Sequence, residues 1–151
     1  MKPYQKIKIK RVVDGDTVIL DDYKKTRVRL YGIDTPETYP KKQEYGQIAT
    51  DFLDLLLKAN SNKELLMETK SKDVYGRKVA IIYIVDTEGV KHDAGLILLD
   101  SGLAWAYKKY LKGSVEETAY LNAEKEAQNS KLHIWSNENP MNPSDFRKLG
   151  K

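Results

Sequence analysis

Arg27-Val28-Arg29-Leu30-Tyr31-Gly32-Ile33-Asp34-Thr35-Pro36-Glu37 is the stretch on which the fold turns. It opens as a strand, with Val28 and Leu30 set between arginines. It ends in a turn that holds two carboxylates and a proline. Before it the apolar residues repeat at a period of two; after it they repeat at the period of a helix. Strict alternation would put Arg29 and Asp34, five residues apart, on opposite faces of a strand. The two can converge only if Gly32, or the turn after Ile33, redirects the chain.

On the N-terminal side, Ile7, Ile9, Arg11 and Val13 alternate with lysines and Val12. Thr17-Val18-Ile19-Leu20 follows an Asp-Gly-Asp turn, and the charged run Asp21 to Lys25 has the length of a hairpin turn. On the C-terminal side, Ile48, Phe52, Leu55, Leu56 and Ala59, with Leu53 beside them, predict a helix from about Gly46 to Ala59, closed by Asn60-Ser61-Asn62. Lys63 to Lys70 and Lys78 to Asp86 are two more strands, joined by the turn Asp73 to Arg77. Asp93 is placed to cap a short helix, Ala94 to Ser101, which Gly102 ends. Ser114-Val115-Glu116-Glu117 has the spacing of a capping box for a helix to about Asn129, with Tyr120, Ala123 and Ala127 on its apolar face. From Ser136 on, Asn139-Pro140 and Asn142-Pro143 predict an extended tail, docked by Ile134, Trp135 and Phe146.

About five strands with a helix between the third and fourth is the order of an OB-type β-barrel with added helices, an α+β fold. Such barrels commonly bind oligonucleotides, which is analogy from fold and not a function.

At 151 residues the chain is the size of one domain and can bury a core without disulfides. It has no cysteine, which excludes thiolate nucleophiles and zinc–thiolate sites. His92 and His133, its two histidines, share no ligand spacing. Net charge is +4, from 26 basic and 22 acidic residues, which suits a polyanionic partner and equally describes an ordinary basic protein. No apolar run approaches the ~20 residues of a membrane span, so no membrane partner is expected. Met1 to Ile7 has no apolar signal core. Localisation stays open between retention in the cell and secretion with a leader removed.

Three fragments carry chemistry. Asp14 and Asp16, two apart on an extended chain, point to one side and suit a hard cation; Asp-Gly is also a common turn. Arg29, Asp34 and Glu37 combine a cation with two carboxylates; Thr35-Pro36-Glu37 also reads as a helix entry. Asp73-Val74-Tyr75-Gly76-Arg77 offers a second arginine, or an incidental one in a hairpin loop. Together they hold the groups that phosphodiester hydrolysis needs: oxygens for a metal, a carboxylate to take a proton, and guanidiniums for a phosphate.

In that order, Asp-Gly-Asp-Thr, Arg-x4-Asp-Thr-Pro-Glu and Asp-x-Tyr-Gly-Arg resemble the staphylococcal-nuclease (thermonuclease) family. The resemblance runs from about Ile7 to Trp135 and includes Asp93-Ala94-Gly95-Leu96, Gly102-Leu103-Ala104 and Leu132-His133-Ile134-Trp135-Ser136. It implies a five-stranded OB barrel with three α-helices, a nuclease domain over 1–136 and an extended tail over 137–151. It implies hydrolysis of DNA and RNA with Ca²⁺ and little sequence preference, leaving 3′-phosphate ends. Single strands are the expected preference and a monomer the expected state. By motif match, Asp16 and Asp34 would ligate the metal with the Thr35 carbonyl, and Asp14 would reach it through water. Arg29, Glu37 and Arg77 would be catalytic: Glu37 as the base, the arginines on the phosphate. Tyr75, Tyr107 and Tyr110 would hold substrate, the last two without a settled choice between them. Trp105 would stack on a base or pack inside, and Lys108, Lys109 and Lys112 would attract phosphate or be solvated. Val74 departs from the basic residue common in the family, and Ser144 stands where a tryptophan is common in bacterial members. The rival readings are a non-catalytic OB-fold module that binds nucleic acid or protein, and a Mg²⁺-dependent phosphoesterase on another fold.

Overall fold

The computed structural model describes residues 3–60 and 62–149; Met1, Lys2, Ser61, Gly150 and Lys151 lie outside it. The helix end expected at Asn60-Ser61-Asn62 is therefore described only on either side of Ser61. Strands β1 (Tyr4–Ile7), β2 (Ile9–Asp14), β3 (Thr17–Leu20), β4 (Arg27–Leu30), β6 (Glu64–Lys72) and β7 (Lys78–Val85) form a sheet in the order β1-β6-β7-β4-β3-β2. Among the described residues, only β4 and β7 pair in parallel. The short β8 (Lys91–Asp93) joins β7, and a separate pair is made by β5 (Ile33–Asp34) and β9 (Trp105–Ala106).

The barrel follows from one covalent fact. β1 and β2 sit at opposite ends of the sheet order, yet only Lys8 separates Ile7 from Ile9. A flat sheet cannot satisfy both, so it curls back on itself. What the alternation presented as one strand is thus two, serving both edges. The Lys8 carbonyl accepts from the Asp21 amide at 2.7 Å just beyond β3. The result is the expected α+β, OB-type architecture, with a core centred on Val18, Val28, Leu30, Met67 and Ile82, against which Leu53 of the inserted helix packs.

That helix, α1 (Gly46–Ala59), has the expected bounds but a different face inward. Gly46, Ala49, Leu53 and Leu57 are buried, whereas Ile48 and Leu55 are exposed. Apolar residues nearly encircle α1, so periodicity alone does not fix its rotation. Gly46 does: a Cβ there would lie 2.2 Å from the Glu37 carbonyl oxygen, so only glycine lets the helix seat against that loop.

Asp93 caps α2 (Ala94–Asp100) as expected, accepting from the Leu96 amide at 3.1 Å. The capping box at Ser114 does not form. Helix α4 (Glu117–Asn129) starts three residues later, and the Glu117 carboxylate accepts from the Gly113 amide instead. Beyond the three helices expected, α3 (Lys108–Leu111), a 3₁₀ turn (His133–Ser136) and α5 (Pro143–Lys148) are present. α5 corrects the extended tail. Asn142 and Pro143 do not break a helix here; they start one, with Asn142 as N-cap accepting from Ser144 at 2.9 Å and Pro143 in the first turn. No described helix is long and apolar enough to cross a membrane.

The bend required after β4 is present. Gly32 has φ 76°, and a Cβ on it would meet Leu111 Cδ2 at 2.7 Å and Tyr120 Cε2 at 3.0 Å. Gly32→Ala is expected to lose roughly 2–4 kcal/mol, from left-handed backbone strain plus overpacking. A denaturant midpoint unchanged by G32A would show that the bend tolerates a side chain.

Candidate active site

The site begins at the β2–β3 turn. Asp14 ends β2 and Thr17 begins β3, and the Asp16 amide donates to Asp14 Oδ1 at 3.1 Å. The Asp-Gly turn and the paired acids are therefore one feature. Asp16 is buried; Thr17 Oγ1 donates to its Oδ1 at 3.1 Å and the Thr35 amide to its Oδ2 at 3.0 Å. Arg29, opposite Thr17 in the β3–β4 register, places Nη1 3.1 Å from Asp16 Oδ2.

Past the Gly32 bend, β5 brings Asp34 to the other side of the same guanidinium, with Arg29 Nη2 3.4 Å from Asp34 Oδ1. Glu124 fixes β5 indirectly. Its buried carboxylate accepts from the Ala106 amide at 2.6 Å, and Ala106 on β9 pairs with Ile33. Glu37 lies one turn further on, where its amide donates to the Gln43 side chain at 3.1 Å. Thr35 is buried behind Asp16.

Asp14, Asp16, Arg29, Asp34 and Glu37 line a cleft of about 590 Å³ together with Tyr75, Arg77, Tyr107 and Tyr110. All the expected site residues except Thr35 line it. Arg77 is aimed by its own turn: Asp73 Oδ2 accepts from its Nε at 2.7 Å, and the Asp73 carboxylate also accepts from the Tyr75 and Arg77 amides. Tyr75 is 82% exposed, with its ring centroid 5.7 Å from the Arg77 guanidinium. Tyr107 and Tyr110 lie ring to ring at 4.8 Å, and the Tyr107 amide donates to Gly32 O at 2.8 Å, which holds the pair beside the bend. Trp105 packs inward, its ring 4.4 Å from that of Trp135. Lys108, Lys109 and Lys112 are exposed and do not line the cleft.

The sequence reading missed Arg147. From α5 its Nη1 reaches Asp34 Oδ1 at 3.2 Å and Glu37 Oε1 at 2.5 Å, and its Nη2 reaches Asp34 Oδ2 at 3.0 Å. The available signal was Asn142-Pro143-Ser144-Asp145 followed by Arg147-Lys148: a cap, a first-turn proline, an early acid and late cations. It marks the helix, though not its destination.

Charge is crowded here. Burial, and then the neighbouring Asp16 charge, push the Asp14 carboxyl up to about 8. Burial likewise raises Asp34 and Glu37, against the pull of Arg147. Asp16 is held below the usual carboxylate range: burial opposes its charge, but Arg29 and the hydrogen bonds from Asp14 and Thr35 outweigh it. Oxygen-only donors with more negative than positive charge fit a hard cation such as Ca²⁺, which takes carboxylates, carbonyls and water. Among the described residues no group of three or more acidic, histidine or cysteine side chains is gathered as a metal cage.

The fold and cleft define an OB-fold protein with guanidiniums and carboxylates gathered in one cleft. The family described as staphylococcal nuclease homologue matches residues 27–137. The chain is 39% identical over 132 residues to a thermonuclease of Staphylococcus intermedius, covering 84% of this chain and 74% of that protein. It is 32% identical over 149 residues to a micrococcal nuclease of Shigella flexneri, covering 93% and 79%. It is also 32% identical over 146 residues to an uncharacterized endonuclease of Haemophilus influenzae, covering 95% and 74%. The chain belongs to the staphylococcal nuclease family.

The Asp14 shift has a stability consequence in chelator. Unfolded Asp14 loses its proton near 3.8, but the folded side chain keeps it to about 8. Between those values the native state binds more protons, so stability falls as pH rises. Asp14→Asn removes that fall and is expected to gain stability over the parent at pH 8 relative to pH 5 in urea melts. Parallel pH profiles would overturn the assignment.

Proposed function

We propose that this protein is a Ca²⁺-dependent nuclease that hydrolyses phosphodiester bonds of DNA and RNA with little sequence preference, leaving 3′-phosphate ends. The observation that carries this reading is that Asp16, Arg29, Asp34, Glu37 and Arg77 share one cleft in a member of this family. Residues 1–136 are assigned as the nuclease unit and 137–151 as its tail. The protein acts as a monomer and prefers single strands, whose bases can meet Tyr75, Tyr107 and Tyr110.

Asp16 and Asp34 would hold Ca²⁺ with the Thr35 carbonyl, and Asp14 would contact it through water. Calcium, when bound, supplies positive charge to the phosphate oxygens. Glu37 accepts a proton from the attacking water, whose oxygen bonds to phosphorus while the bond to the 5′-oxygen breaks; that oxygen takes a proton from solvent and leaves as a hydroxyl, and Glu37 returns its own proton to solvent. Arg29 and Arg77 neutralise the charge that grows on the phosphoryl oxygens. Arginine suits this role because its planar fork matches two such oxygens and stays charged. Glu37 is half-buried, and Arg147 beside it opposes the upward push of burial on its carboxyl.

The test is degradation of single-stranded DNA with Ca²⁺ and with chelator. Glu37→Gln is expected to lose about 10²–10⁴-fold in rate, and Arg77→Ala about 10²–10³-fold. Activity that survives chelation, or E37Q combined with R77A, overturns the mechanism. Tight oligonucleotide binding without turnover at any metal concentration favours the binding-module reading.

A further inference from the structure

The tail is built onto the cleft. The Gln43 side chain joins the two: its Oε1 accepts from the Glu37 amide at 3.1 Å and its Nε2 donates to the Met141 carbonyl at 2.6 Å. Pro143 is buried, and Phe146 and Leu149, the latter 65% exposed, line an open groove with Pro36, Tyr45 and Ile134. This docking leaves Arg147 facing Asp34 and Glu37, where it takes both oxygens of Asp34 at 3.0 and 3.2 Å.

A divalent ion on Asp34 needs the same lone pairs. Calcium sits about 2.3–2.6 Å from its oxygens, which would put it within a few ångströms of the guanidinium carbon that now faces both. The two cations repel and compete for one carboxylate. Arg29 does not compete in this way, since it lies between Asp16 and Asp34 and meets one oxygen of each. Arg147 is also 41% exposed, so it has solvent to move into, whereas Arg29 is 15% exposed.

We propose that Arg147 is a tethered cation that occupies Asp34 and Glu37 until Ca²⁺ displaces it, so that the tail sets the calcium concentration at which the site loads. Without metal, the guanidinium keeps two clustered carboxylates paired, so the cleft keeps its shape while it waits. The inference rests on the calcium reading given above, and its test reads binding and not activity.

The experiment is calorimetric Ca²⁺ titration of the full chain, with thermal unfolding in chelator and in saturating Ca²⁺. Arg147→Ala is expected to bind Ca²⁺ roughly tenfold or more tightly, about the effect of one well-placed charge contact. It is also expected to melt lower than the parent in chelator, with a larger upward shift on adding Ca²⁺. Arg147→Lys keeps the charge, loses the two-pronged contact and should fall between; it also serves if R147A fails to fold. Lys148→Ala removes one charge from the same helix and should leave the affinity within about twofold, since exposed charges away from the ion are screened. Unchanged or weaker Ca²⁺ binding by R147A and R147K overturns the inference and leaves the nuclease reading intact. K148A matching R147A also overturns it, because general charge would then suffice. No Ca²⁺ binding by parent or variants overturns both this inference and the calcium part of the proposed function.

Discussion

Arg29 lies between two buried carboxylates, Asp16 at 3.1 Å and Asp34 at 3.4 Å, and the rest of the site is arranged around that contact. Neither acid can be buried as an anion without a cation beside it. Asp16 arrives from the turn before β3 and Asp34 from the bend after β4, so Arg29 is where two separate pieces of chain must agree. The agreement is enforced from outside. β3 and β4 set Arg29 opposite Thr17, Gly32 turns the chain, and the Glu124–Ala106 bond holds the β9 strand on which β5 rests. Removing one partner of such a pair typically costs about 3–5 kcal/mol, because a bare charge stays buried. This makes Arg29 a structural residue, and a lysine there would lose the fork that spans both acids.

Around Arg29 the cleft gathers four carboxylates, Asp14, Asp16, Asp34 and Glu37, and two contacting guanidiniums, Arg29 and Arg147; a fifth carboxylate, Asp73, is paired with Arg77. That imbalance is unfavourable for the empty fold and favourable for a cation. Asp14 relieves part of it by keeping its proton to about 8. A site made wholly neutral by its own side chains would have little to offer a divalent ion. One left fully ionised would repel itself. The balance observed lies between these extremes, as expected of a binding site whose stability is spent on function.

How much of this was legible depends on the distance over which each feature is decided. Strands, the α1 bounds and the Asp93 cap are set by nearby residues, and they stood out in the sequence. Arg29 and Asp34 can face one site only through a bend at Gly32 or after Ile33, and Gly32, with φ 76°, supplies it. The rotation of α1 was not legible, because Leu55 and Leu53 are equally apolar and the choice is made by the approach of Gly46 to Glu37. The splitting of the first strand at Lys8 was hidden for the same reason: alternation continues through it, and closure of the sheet decides the break. Asn142-Pro143 was misjudged differently, since the same dipeptide ends one helix and starts another.

Arg147 illustrates the limit most clearly, since 113 residues separate it from Asp34. A six-residue helix such as α5 has no stability of its own. Its place is therefore set by what it touches: the buried ring of Pro143, the Asn142 cap, the Gln43–Met141 link and the Arg147 ion pair. The helix and the ion pair consequently support each other. Weakening the Asp34 contact loosens α5, and loosening α5 withdraws Arg147 from Asp34. An element held by so few contacts belongs to the low-stability end of the molecule, where small changes in binding energy shift populations. The barrel, with its continuous core and Arg29 fixed between two strand ends, belongs to the other end. The cleft thus joins a rigid wall built on Arg29 to a marginal one that carries Arg147.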